Sequence, residues 1–140
     1  MMKSLGRLIV SFLMLAMASS GFAESTEQRQ TKQTRFSNDG LYEVSIESQM
    51  KPLTLGKMHA WSATIKTPEG APIKDAKILV SGGMPIHNHG FPTNPQVTSV
   101  SDEGVYLIDG VKFSMRGPWI LLLDVTVDSQ TDAVAFDIDL

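Results

Sequence analysis

From Asp39 onward, apolar and polar residues alternate in short bursts separated by Gly, Pro and Asn. Tyr42, Val44 and Ile46 alternate with Glu43, Ser45 and Glu47, the period-two pattern of a strand with one buried face. The same period puts His59, Trp61, Ala63 and Ile65 on one face of a strand over 58–66, which Thr67-Pro68-Glu69-Gly70 ends as a turn. Residues 77–81 predict the next strand, stopped at Gly82-Gly83. Further strands are expected over 96–100, 105–108 and 111–115, with Asp109-Gly110 as a hairpin turn between the last two. The longest apolar run, 119–127, predicts a central strand. Residues 133–139 close the chain with Val134, Phe136 and Ile138 on one face. Seven or eight strands about ten residues apart predict an all-β, immunoglobulin-like β-sandwich over 39–140.

Ahead of these strands the pattern changes twice. Residues 24–38 are polar around a single aromatic, Phe36, and bury too little surface to order themselves, so they predict a flexible leader. Lys3 and Arg7 flank the start of an apolar or small-residue run over 8–18, and Gly21 and Ala23 stand where a signal peptidase reads. This layout predicts a secretory signal peptide over 1–23, cut after Ala23, and a protein exported to the periplasm. The run is shorter than the roughly 20 residues a spanning helix needs, so no stable membrane span is expected in the mature form. No Cys follows it for lipid attachment, and no Arg-Arg pair suggests export in the folded state.

Composition narrows the chemistry. The 140 residues carry a net charge of −3, and removing the signal peptide over 1–23 takes away Lys3 and Arg7 but no acid. An acidic domain of this size is a poor nucleic-acid binder. The chain has no cysteine, so an exported form has no disulfide, and Met and His are its only soft or borderline metal ligands.

Those ligands concentrate in Gly82-Gly83-Met84-Pro85-Ile86-His87-Asn88-His89-Gly90. In extended backbone, residues i and i+2 share a face, about 6.5–7 Å apart at Cα, so His87 and His89 can close on one ion. Pro85 fixes its own φ and pushes Met84 toward extended backbone, which stiffens the frame. Zinc gains little from thioethers, and no thiolate or nearby carboxylate completes a tetrahedral set. Calcium and magnesium want oxygen cages that are absent here. Copper fits the affinity order, with copper(I) favoured by Met84 and copper(II) the second choice. The competing reading is a pair of solvated loop histidines. Met115, before Gly117-Pro118, is the next candidate ligand, against a core-filling role. His59 is a further candidate, against a partly buried histidine bonded to backbone. No Ser/His/Asp set, phosphate loop or carboxylate pair points to an enzyme.

The spaced motifs resemble the YtkA-like domain family, related to FixH-type proteins and exported or membrane-anchored in bacteria. They are Met58-His59-Ala60-Trp61, Pro72-Ile73-Lys74-Asp75-Ala76, the run from Gly82 to Thr93, Gly104-Val105-Tyr106, and Phe113-Ser114-Met115-Arg116-Gly117-Pro118-Trp119. The resemblance covers about 53–125. It implies an immunoglobulin-like sandwich and a role near copper handling or respiratory-oxidase maturation, with Met84, His87, His89 and Met115 on the family's Met/His positions and His59 alongside. The chain departs from FixH-type members in lacking a clear transmembrane anchor. Together these readings predict an exported copper-binding protein that passes the ion to a recipient cuproprotein or respiratory oxidase and catalyses no reaction. The alternative is a metal-free envelope module that recognises another protein through the 82–95 loop.

Overall fold

A computed structural model describes residues 30–140. The signal peptide expected over 1–23, and residues 24–29 of the polar leader, lie outside the described residues. The strands run in the order β1 (Lys32–Phe36), β2 (Glu43–Ser48), β3 (His59–Lys66), β4 (Pro72–Ile73), β5 (Lys77–Met84), β6 (His89–Gly90), β7 (Gln96–Val100), β8 (Val105–Val111), β9 (Pro118–Val127) and β10 (Gln130–Asp139). A 3-10 turn, Pro85–His87, lies between β5 and β6.

Two antiparallel sheets face one another. One is ordered β1-β2-β3-β8-β7, with β4 also on β3, and the other β10-β9-β5-β6. The block β2-β3-β8-β7 opposite β10-β9-β5 has the strand order of the two immunoglobulin sheets, so the expected fold class holds. Alternation supplies the interior. Val44 and Ile46 of β2, and Trp61, Ala63 and Ile65 of β3, face Leu121, Leu123 and Val125 of β9 and Val134, Phe136 and Ile138 of β10, all buried. Each large apolar side chain taken from water contributes about 1.5–3 kcal/mol, and with no disulfide this layer is the main source of stability.

Three expectations are corrected. Asp109-Gly110 is not a hairpin turn: β8 runs through it to Val111. Opposite β3 the register passes from Trp61↔Ile108 to His59↔Val111, so the dipeptide makes a β-bulge, with Gly110 at φ 85°. Residues 112–117 form no strand; they are the loop that carries the chain from one sheet to the other. The third correction lies in the polar stretch before residue 39, where residues 32–36 form β1, paired with β2 from Lys32↔Glu47 to Phe36↔Glu43. Arg35 donates to Ala135 O at 2.9 Å and pairs with Asp137 at 2.9 Å, and Gln33 donates to Asp137 O at 2.7 Å. Backbone pairing and long polar side chains thus hold an edge strand that a hydropathy pattern does not register.

Candidate functional site

The end of the sandwich where β5 meets β6 is shaped by two glycines. Gly82 (φ 135°) and Gly83 (φ 146°) hold backbone that a side chain would strain. A Cβ on Gly82 would stand 2.0 Å from Ile120 O, and one on Gly83 would stand 2.2 Å from His89 O. The neighbouring backbones therefore approach more closely than any other residue allows. β5 consequently does not stop at the glycines, as the sequence suggests, but continues to Met84. Pro85 then opens the 3-10 turn, and Asn88 takes left-handed backbone (φ 53°, ψ 44°) with its N–H on Pro85 O at 3.1 Å. The chain returns as β6, with Gly83 opposite Gly90 and Met84 opposite His89.

His87 and His89 are therefore brought together by a turn, not by extended backbone. Their rings lie nearly parallel, 18° apart in plane, with centroids 6.0 Å apart, and both are exposed. His89 donates Nδ1–H to Gly90 O at 2.9 Å, which leaves its lone pair on Nε2. Directly opposed residues in an antiparallel pair project to the same face, so Met84 and His89 share the inner face of this sheet. Met84 is completely buried.

Trp119 is the floor beneath them. His89 meets it edge-on at 5.6 Å, Phe91 stacks on it at 5.5 Å and 16°, and Phe113 meets it T-shaped at 5.3 Å. Its indole N–H donates to Met115 O at 3.0 Å. The next turn of that loop is fixed too, because Gly117 exchanges backbone hydrogen bonds with Leu140 at 2.8 and 3.2 Å. A Cβ on Gly117 would lie 3.1 Å from the Met84 methyl, so the β8–β9 loop and the hairpin touch. The fold thus brings Met84, His87, His89 and the backbone of Met115 to one end of the molecule. The Met115 side chain is 40 % exposed. A shallow groove of about 390 Å³ runs along the hairpin, lined by Met84, Pro85, Asn88, His89, Ile120 and Leu122.

His59 stands apart from that group. It is buried behind Phe113, ring centroids 5.5 Å apart. Its Nδ1–H donates to Lys57 O at 3.1 Å, and its Nε2 accepts the indole N–H of Trp61 at 3.0 Å. Burial pushes its pKa down, partly opposed by the bond to Lys57, and so favours the neutral ring. With both nitrogens engaged, His59 has no lone pair to offer and its geometry is that of a core histidine.

Sequence reasoning missed the part played by Trp119 and Phe91. Their place in the chain is the only trace of it: Phe91 follows the histidines by two residues, and Trp119 follows Gly117-Pro118. Among the described residues, no three His, Asp or Glu side chains gather closely enough to hold a metal. Nor is any helix there long and apolar enough to cross a membrane. The side-chain donors gathered at this end are two imidazoles and the Met84 thioether, with the backbone of Met115 on the adjoining loop.

No curated protein and no solved structure matches the chain. The family model described as YtkA-like matches residues 42–124, from the residue before β2 through the histidine hairpin and most of β9, and the chain belongs to the YtkA-like family.

Proposed function

We propose that the protein binds copper, held as copper(I), at the histidine hairpin and passes it to a recipient protein without catalysing a reaction. The observation that carries this reading is the pairing of Met84 with His89 across the hairpin, with His87 stacked beside it. That is a nitrogen–sulfur donor set with no gathered carboxylates, which suits a soft ion better than zinc or calcium. The bond from His89 Nδ1–H to Gly90 O supports a ligand role, since such a bond fixes the tautomer and makes Nε2 a better donor. Rings 6.0 Å apart on exposed side chains need only small rotations to share one ion. The sulfur of Met84 would come from the protein side, and that of Met115 from the β8–β9 loop. His87 on the outer side leaves the ion open to ligands from a recipient, such as a cuproprotein or a respiratory oxidase. Export through the signal peptide expected over 1–23 would place this exchange in the periplasm.

A second reading has its own observation. Ile86, 73 % exposed, projects at the hairpin tip beside the imidazoles, as a contact residue of a metal-free recognition loop would. Competition against a copper(I) chelator separates the two. Wild-type protein should take up one copper, and replacing His87 and His89 together by Ala should weaken binding at least tenfold. Undiminished affinity in the double variant removes the hairpin from the site. Failure of the wild type to take up copper leaves the recognition loop.

A further inference from the structure

Trp119 touches both halves of the copper-binding end, and no role beyond packing has been given to it. We propose that Trp119 is the positioning residue of that site, holding the Met115 loop through its indole N–H while its ring carries His89. This rests on the copper reading above and specifies how the site is assembled.

The geometry is particular. A buried indole N–H needs an acceptor, and this one finds the carbonyl of Met115, a loop residue, rather than a strand neighbour. Trp119 is only 1 % exposed, so the donor side of this part-buried bond is shielded from water. The ring cannot turn away from it, because Phe91 covers one face and Phe113 abuts it at 5.3 Å. The same ring bears the edge contact to His89. His89 on the β5–β6 hairpin and Met115 on the β8–β9 loop are thereby referred to one rigid plate. Without the N–H, the Met115 backbone would rest mainly on the Gly117–Leu140 pairing two residues away, and the thioether would lose its fixed origin. His89 would keep its wall, since a phenyl ring can supply that contact. The consequence is a split between oxidation states, because the thioether serves copper(I) and the imidazoles serve both.

Trp119→Phe tests this. Copper(I) affinity is expected to fall about tenfold, in the range typical of an outer partner that orients a ligand. Copper(II) affinity should change by less than about threefold. In a Met115→Leu background the same substitution should bring no further loss of copper(I) affinity. Equal losses for both oxidation states, or unchanged copper(I) affinity, overturn the proposal. Should Trp119→Phe fail to fold, the native chain supplies a second readout in its two indole N–H resonances. Copper(I) should move the Trp119 resonance, recognised by its contact with the Phe91 ring, and leave that of Trp61 in place. Copper uptake with the Trp119 signal unmoved overturns this inference alone. No copper uptake by the native protein overturns it together with the copper reading.

Discussion

His59 and Trp61 each bury a polar atom, and each satisfies the other. The imidazole accepts the indole N–H at 3.0 Å and gives its own N–H to Lys57 O. Protonating His59 would put a second hydrogen where Trp61 already donates, in a place where burial disfavours charge. The folded pKa is therefore lowered, and the sign follows. Above the ordinary histidine value of about 6.5 the neutral ring costs nothing. As pH falls below that value, the unfolded chain binds a proton the folded chain refuses, so stability drops until the folded imidazole titrates at its lowered value. His59→Gln keeps an acceptor for Trp61 but does not titrate. Urea midpoints measured between pH 7 and pH 5 should fall more steeply for the native protein than for this variant. Parallel slopes would show that His59 does not govern acid sensitivity in that range.

At the scale of elements, the β5–β6 hairpin exists because two glycines permit a close approach. In Gly83→Ala the new methyl would meet His89 O at 2.2 Å and Gly90 Cα at 2.5 Å, with φ held at 146°. The expected cost is about 1–3 kcal/mol, and β6 should pull away from β5, parting His89 from Met84. Gly40→Ala is the control: φ there is 74°, yet nothing lies within 4 Å, so it carries the conformational cost without the clash. Copper(I) affinity should drop in the first variant and hold in the second, as a chelator competition would read. Equal affinities would mean that the hairpin does not set the donor geometry. This element also marks how far the sequence could be read. Period-two alternation located β2, β3 and most of β10, because each strand buries one face and leaves the other toward water, and the long apolar run located β9. The density of Met and His around residues 84–89 was visible as well. The means of gathering them was not: strand spacing suggested extended backbone, whereas a 3-10 turn and left-handed Asn88 do it. Asp109-Gly110 carried a hairpin signal because Gly at positive φ suits a turn and a bulge equally. The bridge from Trp119 to Met115 runs through one indole N–H, which no periodicity encodes.

The whole molecule must hold two sheets together without a disulfide, and it does so differently at its two ends. Near the histidines the join is aromatic, through Trp119, Phe91 and Phe113. At the other end it is polar. The Asp132 carboxylate, at the start of β10, accepts Asp39 N–H at 3.0 and 3.1 Å and Leu41 N–H at 3.3 Å from the β1–β2 turn, and Asn38 N–H donates to Ala133 O at 2.8 Å. Burial pushes the Asp132 pKa up, but the donors from Ser37, Leu41, Asp39 and Ala133 outweigh it, and the carboxyl is held below its usual value. A lowered folded pKa adds stability above the unfolded value of about 3.9, which is lost as pH falls through the folded value. Asp132→Asn should therefore unfold more easily at pH 7 by about 1.5–3 kcal/mol, the range for hydrogen bonds to a charged group. The gap should narrow as pH falls below the unfolded value of about 3.9 toward the lowered folded value; an unchanged gap would remove the carboxylate from the join. Asp132 pairs with Val125, six residues along β9 from Trp119, a separation of about 20 Å at strand rise. Copper(I) affinity at pH 7 should accordingly be unaltered in Asp132→Asn, since no side-chain contact of Asp132 reaches that far along the sheet. A variant less stable yet equally able to hold copper would show that the binding end is organised by its own aromatic plate, not by the stability of the sandwich as a whole.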